Sequence, residues 1–403
     1  MTYNSIPISE GFEIISGGTP KRTVKSYWNG DIPWISIKDF NDEYRYLLNT
    51  EDYINNEGLR NSSTNILDKN DIIISARGTV GKINMIRKPM AFNQSCYGLR
   101  AREGIEAKYG YFAIKNSIRE LQSHAYGSVF STITKVTFDN IEIPKPKLSE
   151  QKVIGNILSS LDDKIENNNA IIANLEEQAQ TIFKSWFIDF EPFKDEKFTD
   201  SELGRFPEGW KKISLENIAT FKNGLAMQKF RPETEQDSLP VLKIKELRAN
   251  KTDSSSDRCT VDIPKEVLIE NGDIIFSWSG SLLVEVWTGG TAGLNQHLFK
   301  VSSNKYNKWF YYYWTKFFLN QFVAIARDRA TTMGHIKRSH LKEAKVLIPD
   351  DVTLGEMDKV MDPIISKIIN LGVQNKKLEE LRDTLLPKLM SGEIQVEEAV
   401  ETE

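Results

Sequence analysis

Few residues in this chain have the types and spacing that bond-making chemistry needs. Its 403 residues include two cysteines and four histidines, and their positions do not fit a disulfide framework or a metal site. Residues 78–82 (GTVGK) end in Gly-Lys but lack the long glycine spacing and the Ser/Thr of a phosphate-binding loop. Pro349-Asp350 is followed by no Glu-x-Lys of a metal nuclease, and no Pro-Pro dipeptide offers the Pro-Pro-aromatic element of an amino methyltransferase. We therefore predict a binding protein that holds no cofactor and has no catalytic or metal site.

The distribution of charge indicates what could be bound. The chain carries 52 basic and 56 acidic residues, a net charge of −4, so nucleic-acid binding would have to come from local patches. Residues 75–102 contain six basic residues and no acidic one, and residues 316–345 contain seven basic and two acidic residues, a net of +5. Each patch could equally be a solvated basic face, so charge alone leaves both interpretations open.

A nucleic-acid surface on each half would use lysine and arginine for phosphates and guanine edges, and short polar side chains for the other bases. The candidate DNA-binding residues of the first half are Lys21, Arg22, Lys38, Arg77, Thr79, Lys82, Thr132 and Lys135. Those of the second half are Lys243, Lys245, Ser279, Arg329, Thr331, Lys337 and Arg338.

Two further patterns have a structural interpretation beside a functional one. Asn93-Gln94 and Asn295-Gln296 recur beside apolar runs, and we favour a role in fixing a loop over contact with bases. The aromatic run at residues 309–314 (WFYYYW) could stack on bases, but helical spacing favours core packing, with Phe317 and Phe318 on the same face.

The second half of the chain repeats the first. Residues 32–40 (IPWISIKDF) resemble residues 239–247 (LPVLKIKEL), and residues 70–75 (NDIIIS) resemble residues 272–277 (GDIIFS). The Asn-Gln pairs and the Leu-Glu-Glu segments at residues 175 and 378 follow at nearly the same offset. Such self-similarity indicates a tandem duplication in which each half has a strand-rich globule followed by a long helix.

The two helical segments show the spacing of a coiled-coil seam, with apolar residues alternately four and three apart. Placing Asn168 opposite Asn375 gives an antiparallel register in which Ile165 meets Leu378 and Leu175 meets Ile368. Arg382, opposite Leu161, is the unfavourable position of that register. The alternative is that each helix packs separately on its own globule.

These patterns predict an α+β fold with two pseudo-symmetric, mixed β-rich globules separated by a pair of long antiparallel coiled-coil helices. The predicted division is a first globule at 1–147, a central helix at 148–190, a linker at 191–207, a second globule at 208–349, a distal helix at 350–391 and an acidic tail at 392–403. No apolar run approaches the length of a membrane span and no secretion signal is evident, so we expect a cytoplasmic location.

In this order, and largely present twice, the motifs resemble those of the DNA-specificity subunits of type I restriction–modification systems. The resemblance is carried by residues 14–20 (IISGGTP), the strand starts at 70 and 272, the Asn-Gln pairs, residues 148–152 (LSEQK), 175–178 (LEEQ) and 385–394 (LLPKLMSGEI). It implies two target-recognition domains that each read half of a split DNA sequence, with the helices setting the distance between the half-sites. The second helix departs from the pattern at its start, where residues 354–358 read LGEMD.

The resemblance also implies partners for this chain besides double-stranded DNA. Two modification subunits would methylate adenine with S-adenosylmethionine, and two restriction subunits would use ATP and Mg²⁺ to translocate and cleave DNA. This chain would then be a non-catalytic subunit. The remaining alternative is a coiled-coil scaffold that binds proteins and reads no DNA sequence.

Overall fold

The chain divides into two compact units, each of which combines one globule with parts of both long helices. The computed structural model describes residues 3–41, 44–126, 132–201, 204–233, 237–328 and 334–397. The first unit is formed by residues 1–166 and 378–403, and the second by residues 167–377. The predicted domain boundaries, which assign each helix as a whole, stay a prediction.

The first unit is built on two mixed sheets and a small antiparallel pair. Its strands are β1 (Ser5–Pro7), β2 (Phe12–Ser16), β3 (Trp28–Ile35), β4 (Tyr46–Leu47), β5 (Asp52–Ile54), β6 (Ile66–Leu67), β7 (Ile72–Ser75), β8 (Ile83–Ile86), β9 (Met90–Phe92), β10 (Cys96–Ala101) and β11 (Glu142–Pro144). The sheet orders are β2-β10-β7-β8-β4, β5-β3-β9-β6 and β1-β11. Its helices are α1 (Ile8–Gly11), α2 (Asn56–Arg60), α3 (Ala107–Asn116), α4 (Ile118–Tyr126), α5 (Lys135–Asn140) and the beginning of α6 (Leu148–Phe187).

The second unit repeats this topology. Its strands are β12 (Phe198–Ser201), β13 (Gly204–Pro207), β14 (Lys211–Ser214), β15 (Thr220–Asn223), β16 (Ser238–Leu242), β17 (Arg258–Thr260), β18 (Leu268–Ile269), β19 (Ile274–Ser277), β20 (Leu283–Val286), β21 (Ala292–Leu294), β22 (Leu298–Ser302) and β23 (Lys345–Ile348). The orders β15-β22-β19-β20, β17-β16-β21-β18 and β14-β23 match those of the first unit, except that the first unit adds β4 and the second unit adds the separate pair β12-β13. Its helices are the rest of α6, α7 (Leu215–Ile218), α8 (Ile244–Ala249), α9 (Lys308–Asp328), α10 (Arg338–Glu343) and most of α11 (Asp351–Ser391), whose end lies in the first unit. The duplication predicted from the sequence is thus confirmed in the strand order.

The segment predicted as a linker, residues 191–207, has regular structure. A short 3₁₀ helix (Glu191–Phe193) is followed by the antiparallel hairpin of β12 and β13. Phe190 and Phe193 pack edge-on against Trp210, with ring centroids 5.8 and 5.1 Å apart. Aromatic packing therefore ties this segment to the second unit.

Both long helices contribute to the core of each unit. In the first unit, Ile154 and Leu158 of α6 pack in one apolar cluster with Leu386 and Leu389 of α11. In the second unit, Phe183 and Phe187 of α6 join Met357, Met361 and Ile365 of α11 in another. Burial of the two helices against each other and against the globules satisfies both apolar stripes, so the alternative of two separately packed helices is wrong.

The predicted antiparallel register is confirmed at its polar centre. The Asn168 side chain donates hydrogen bonds to the side-chain oxygens of Asn375 and Gln374, each at 2.8 Å. Asn375 in turn donates to Asn169 at 2.7 Å. Because a buried amide loses its partner if the helices slip, this cluster fixes the register.

The expectation that Arg382 is an unfavourable position in the helix pairing is wrong. Its guanidinium group bonds Asp162 and Asp383 at 2.7 and 2.8 Å, and the Asp162 side chain is only 5% exposed. Burial alone would lower the pKa of Arg382, but the two carboxylates outweigh that effect and raise it. The residue that looked unfavourable opposite Leu161 instead joins the two helices by an ion pair.

The aromatic run is core, as predicted, although not along one face alone. All six residues from Trp309 to Trp314 are buried in α9, and the rings of Trp309 and Trp314 pack on Phe187 and Phe183 of α6. Phe317, predicted on the packed face, is 46% exposed. Among the described residues, no helix is both long and apolar enough to cross a membrane.

Candidate nucleic-acid interface

The same arrangement of loops occurs at the end of a central strand in each unit. We call this arrangement the loop frame; it consists of the strand end, the neighbouring Asn-Gln turn and the glycine that packs against that turn. Strand β7 ends at Ser75 and β19 ends at Ser277, and each is paired with the strand that follows an Asn-Gln turn. The Asn93 side-chain oxygen accepts the backbone N–H of Ser95 at 3.0 Å, and Asn295 accepts that of His297 at 3.3 Å. The favoured interpretation is therefore confirmed for the asparagines, which fix the turn.

A glycine from another segment packs closely against the backbone of each of these turns. A Cβ atom on Gly17 would overlap the carbonyl oxygen of Asn93, and one on Gly224 would overlap the carbonyl oxygen of Asn295. Only glycine leaves room for this close approach of two backbone segments. The approach brings the end of β2 or β15 beside the Asn-Gln turn in each unit.

Replacing Gly224 with alanine should therefore lower the free energy of unfolding by about 2 kcal/mol, because overpacking forces the backbone segments apart. Gly355 is a matched control, since a Cβ there meets no atom within 4 Å. Gly355→Ala in the interior of α11 should instead stabilise the protein by roughly 0.5–1 kcal/mol. Denaturant unfolding of both variants measures the difference, and equal effects would contradict the close packing.

The loop after β7 projects candidate side chains into solvent. Ser75 donates its hydroxyl to the Thr79 carbonyl at 2.5 Å and accepts the Lys82 N–H at 2.9 Å. Gly78 and Gly81 have φ values of +76° and +91°, which glycine adopts without strain. The loop thereby holds Arg77 and Thr79 exposed.

The candidate residues differ in how far they are free to meet a ligand. Lys21, Arg77, Thr79, Lys135 and Lys337 are exposed, and Lys82 and Thr132 are half-buried. Several candidate arginine and lysine side chains already form ion pairs with carboxylates within the described part of the chain. Arg22 pairs with Asp52 at 2.7 Å and lies 3.8 Å over Trp28, while Lys38 pairs with Glu51, Lys243 with Asp257 and Lys245 with Asp253. The hydrogen bond from Arg22 lowers the pKa of Asp52.

Two candidates of the second unit have positioning contacts. Arg338 donates to the Phe221 carbonyl at 3.0 Å. Ser279 is only 5% exposed and its hydroxyl lies 3.0 Å from Nδ1 of His297, so it orients that imidazole. Arg329 and Thr331 lie outside the described residues.

The structure adds side chains that the sequence did not single out. Trp278 donates its indole N–H to the side-chain oxygen of Asn223 at 3.0 Å, and its ring lies 6.1 Å from that of His297 and 6.3 Å from that of His335. These four residues come from four separate segments of the chain, so no local pattern could have united them.

Two equivalent loop frames that carry different exposed side chains are the arrangement expected of a protein with two binding surfaces. Residues 2–177 and 207–382 both match the family described as the type I restriction modification DNA specificity domain. The chain belongs to this family and is a specificity subunit of a type I restriction–modification system, with two target-recognition domains. The predicted family, function and α+β class are therefore confirmed.

Similar proteins support the assignment over most of the chain. The MjaIX specificity subunit of Methanocaldococcus jannaschii is 32% identical over 400 residues, covering 96% of this chain and 92% of the relative. The HindI specificity subunit of Haemophilus influenzae is 22% identical over 349 residues, covering 70% and 76%. The crystal structure of an S subunit from M. genitalium, 17% identical, has the same fold with a TM-score of 0.59 over 97% of this chain and 96% of that one.

Proposed function

We propose that this chain recognises a split double-stranded DNA target, with each globule reading one half-site and the paired helices fixing the gap. The observation that carries the proposal is the repeated loop frame, which keeps the hydrogen bond from a backbone N–H to the asparagine side chain in both units but carries different exposed side chains. A protein with one binding specificity would need no such divergence. Helix α6 has 40 residues, so at 1.5 Å per residue it extends over about 60 Å.

The chemistry belongs to partners in this proposal. Two modification subunits would methylate adenine with S-adenosylmethionine, and two restriction subunits would consume ATP with Mg²⁺. This chain would bind none of these cofactors and would act with its partners on cytoplasmic DNA. Its contribution is to lower the free energy of the complex on one sequence, where each good bidentate contact discriminates by roughly 1–3 kcal/mol.

Selection from a random-sequence duplex pool tests the proposal directly. The chain is incubated with the pool alone and then with its modification subunit, and the retained DNA is sequenced. We expect a split motif with a constant gap. Retained DNA that shows no motif even with the modification subunit would favour the protein-binding scaffold instead.

Phosphate contacts can be tested separately from sequence reading. Lys135 is the first residue of α5 and Lys337 immediately precedes the first residue of α10, and both side chains are exposed. Each substitution, Lys135→Gln or Lys337→Gln, should reduce the slope of log affinity against log salt by about 0.9, the effect of one lost phosphate contact on B-DNA. Lys359→Gln, an exposed lysine of α11, should leave the slope unchanged. Equal slopes in all three variants would contradict the assignment.

A further inference from the structure

The two units offer an internal comparison of positions that share one backbone frame. Ser75 and Ser277 pair with Cys96 and Leu298, which aligns the residues that follow each strand. The N–H of Ile133 donates to the Ala76 carbonyl at 3.0 Å, and that of Ile336 donates to the Trp278 carbonyl at 3.1 Å. Ala76 and Trp278 are therefore equivalent.

The same bonding pattern identifies three further equivalent pairs. Ser95 corresponds to His297, because each follows the Asn-Gln pair and donates its N–H to the asparagine. Ser16 and Asn223 are opposite Tyr97 and Phe299 in the paired strands. Residues 132 and 335 each immediately precede the isoleucine that bonds to the strand end, so Thr132 corresponds to His335.

At all four positions the first unit has the smaller residue. A frame that folds with serine, serine and threonine has no structural need for asparagine and two histidines. Trp278 also packs against the core of the second unit, with its ring 5.7 Å from that of Phe299. The frame residues themselves do not diverge, since Gly17 matches Gly224 and Asn93 matches Asn295. The larger side chains of the second unit therefore call for an explanation in binding.

From this contrast, and on the basis of the proposed function, we propose that Asn223, Trp278, His297 and His335 form the base-reading patch of the second target-recognition domain. Trp278 is the half-buried centre, and its indole N–H holds the side-chain oxygen of Asn223. Ser279 engages Nδ1 of His297, which leaves Nε2 of that exposed ring for DNA.

The chemistry of the patch suits base edges in the major groove. An imidazole nitrogen can donate to purine N7 or guanine O6, and an asparagine amide can bond adenine at N6 and N7.

The test replaces His297 and Asn223 with the serine that the first unit has at both equivalent positions, which changes exposed side chains in a frame that tolerates serine. A third variant, Trp278→Phe, keeps an aromatic side chain but removes the indole N–H. Each variant, with the modification subunit, is taken through the random-duplex selection, and thermal unfolding confirms that it is folded. We expect discrimination at one or two base pairs of one half-site to fall roughly 10- to 100-fold. The other half-site and the gap should stay the same.

Two controls separate the patch from DNA binding in general. Lys337→Gln should weaken binding to all sequences about equally, and His124→Ser, an exposed histidine of α4, should change nothing. An unchanged motif in folded His297→Ser and Asn223→Ser would overturn the patch while leaving the proposed function intact. A wild-type protein that selects no motif would overturn both.

Discussion

Arg382→Met is expected to lower the free energy of unfolding by about 3 kcal/mol, because it leaves a buried carboxylate without its cation. Asp162 is 5% exposed in the first unit, and its second side-chain oxygen already lacks a hydrogen-bond partner among the described residues. Denaturant unfolding followed by circular dichroism measures the loss.

The matched control is Lys359→Met, which breaks an ion pair on the same helix between side chains that are 70% and 67% exposed. An exposed pair contributes about 0–1 kcal/mol, so the control should be nearly neutral. In the double variant Asp162→Leu, Arg382→Met, apolar groups replace both charges and most of the stability should return. If Arg382→Met costs no more than Lys359→Met, the buried pair does not stabilise the helix pairing.

Lengthening both helices by seven residues is expected to widen the DNA gap and leave both half-site sequences unchanged. One heptad keeps the apolar seam in phase and adds about 10.5 Å of helix, which corresponds to roughly three base pairs at 34–36 Å per turn of DNA. The insertions belong between residues 166 and 167 of α6 and between residues 377 and 378 of α11, where the chain passes from one unit to the other. The random-duplex selection gives the new gap.

A seven-residue insertion after Asp195 is the control, because it lengthens the exposed connection between α6 and β12 without changing either helix. Its gap should equal that of the wild type. A wild-type gap in the variant with two lengthened helices would show that the helices do not set the distance.

The helices and the duplication could be predicted because their signals are local or repeat in sequence. The heptad spacing of α6 and α11 was sufficient to place Asn168 opposite Asn375. The same spacing gave a wrong expectation for Arg382. The register placed Arg382 opposite Leu161, but its partner is the next residue, Asp162, which lies beside the seam. A periodicity identifies which residues share a face but not which ion pairs form at its edge.

The candidate interface was only partly predictable, because its side chains depend on contacts between distant segments. The sequence shows that Arg22 and Lys243 are positively charged. It does not show that Asp52 and Asp257 neutralise them, because the fold determines which carboxylate lies beside each cation. His297 had no motif to distinguish it from a surface histidine. Its significance depends on Ser279 and Trp278, which the sheet brings beside it.

The division of both helices between the units has a consequence for the order in which the protein can fold during synthesis. The second unit is continuous from residue 167 to residue 377, but the core of the first unit includes Leu386, Leu389 and Met390. At 5–20 residues per second, the ribosome needs roughly 10–45 s to pass from residue 166 to these residues. The first globule to be synthesised therefore leaves apolar residues exposed until the chain is almost complete. The second globule can complete its core before the first one does.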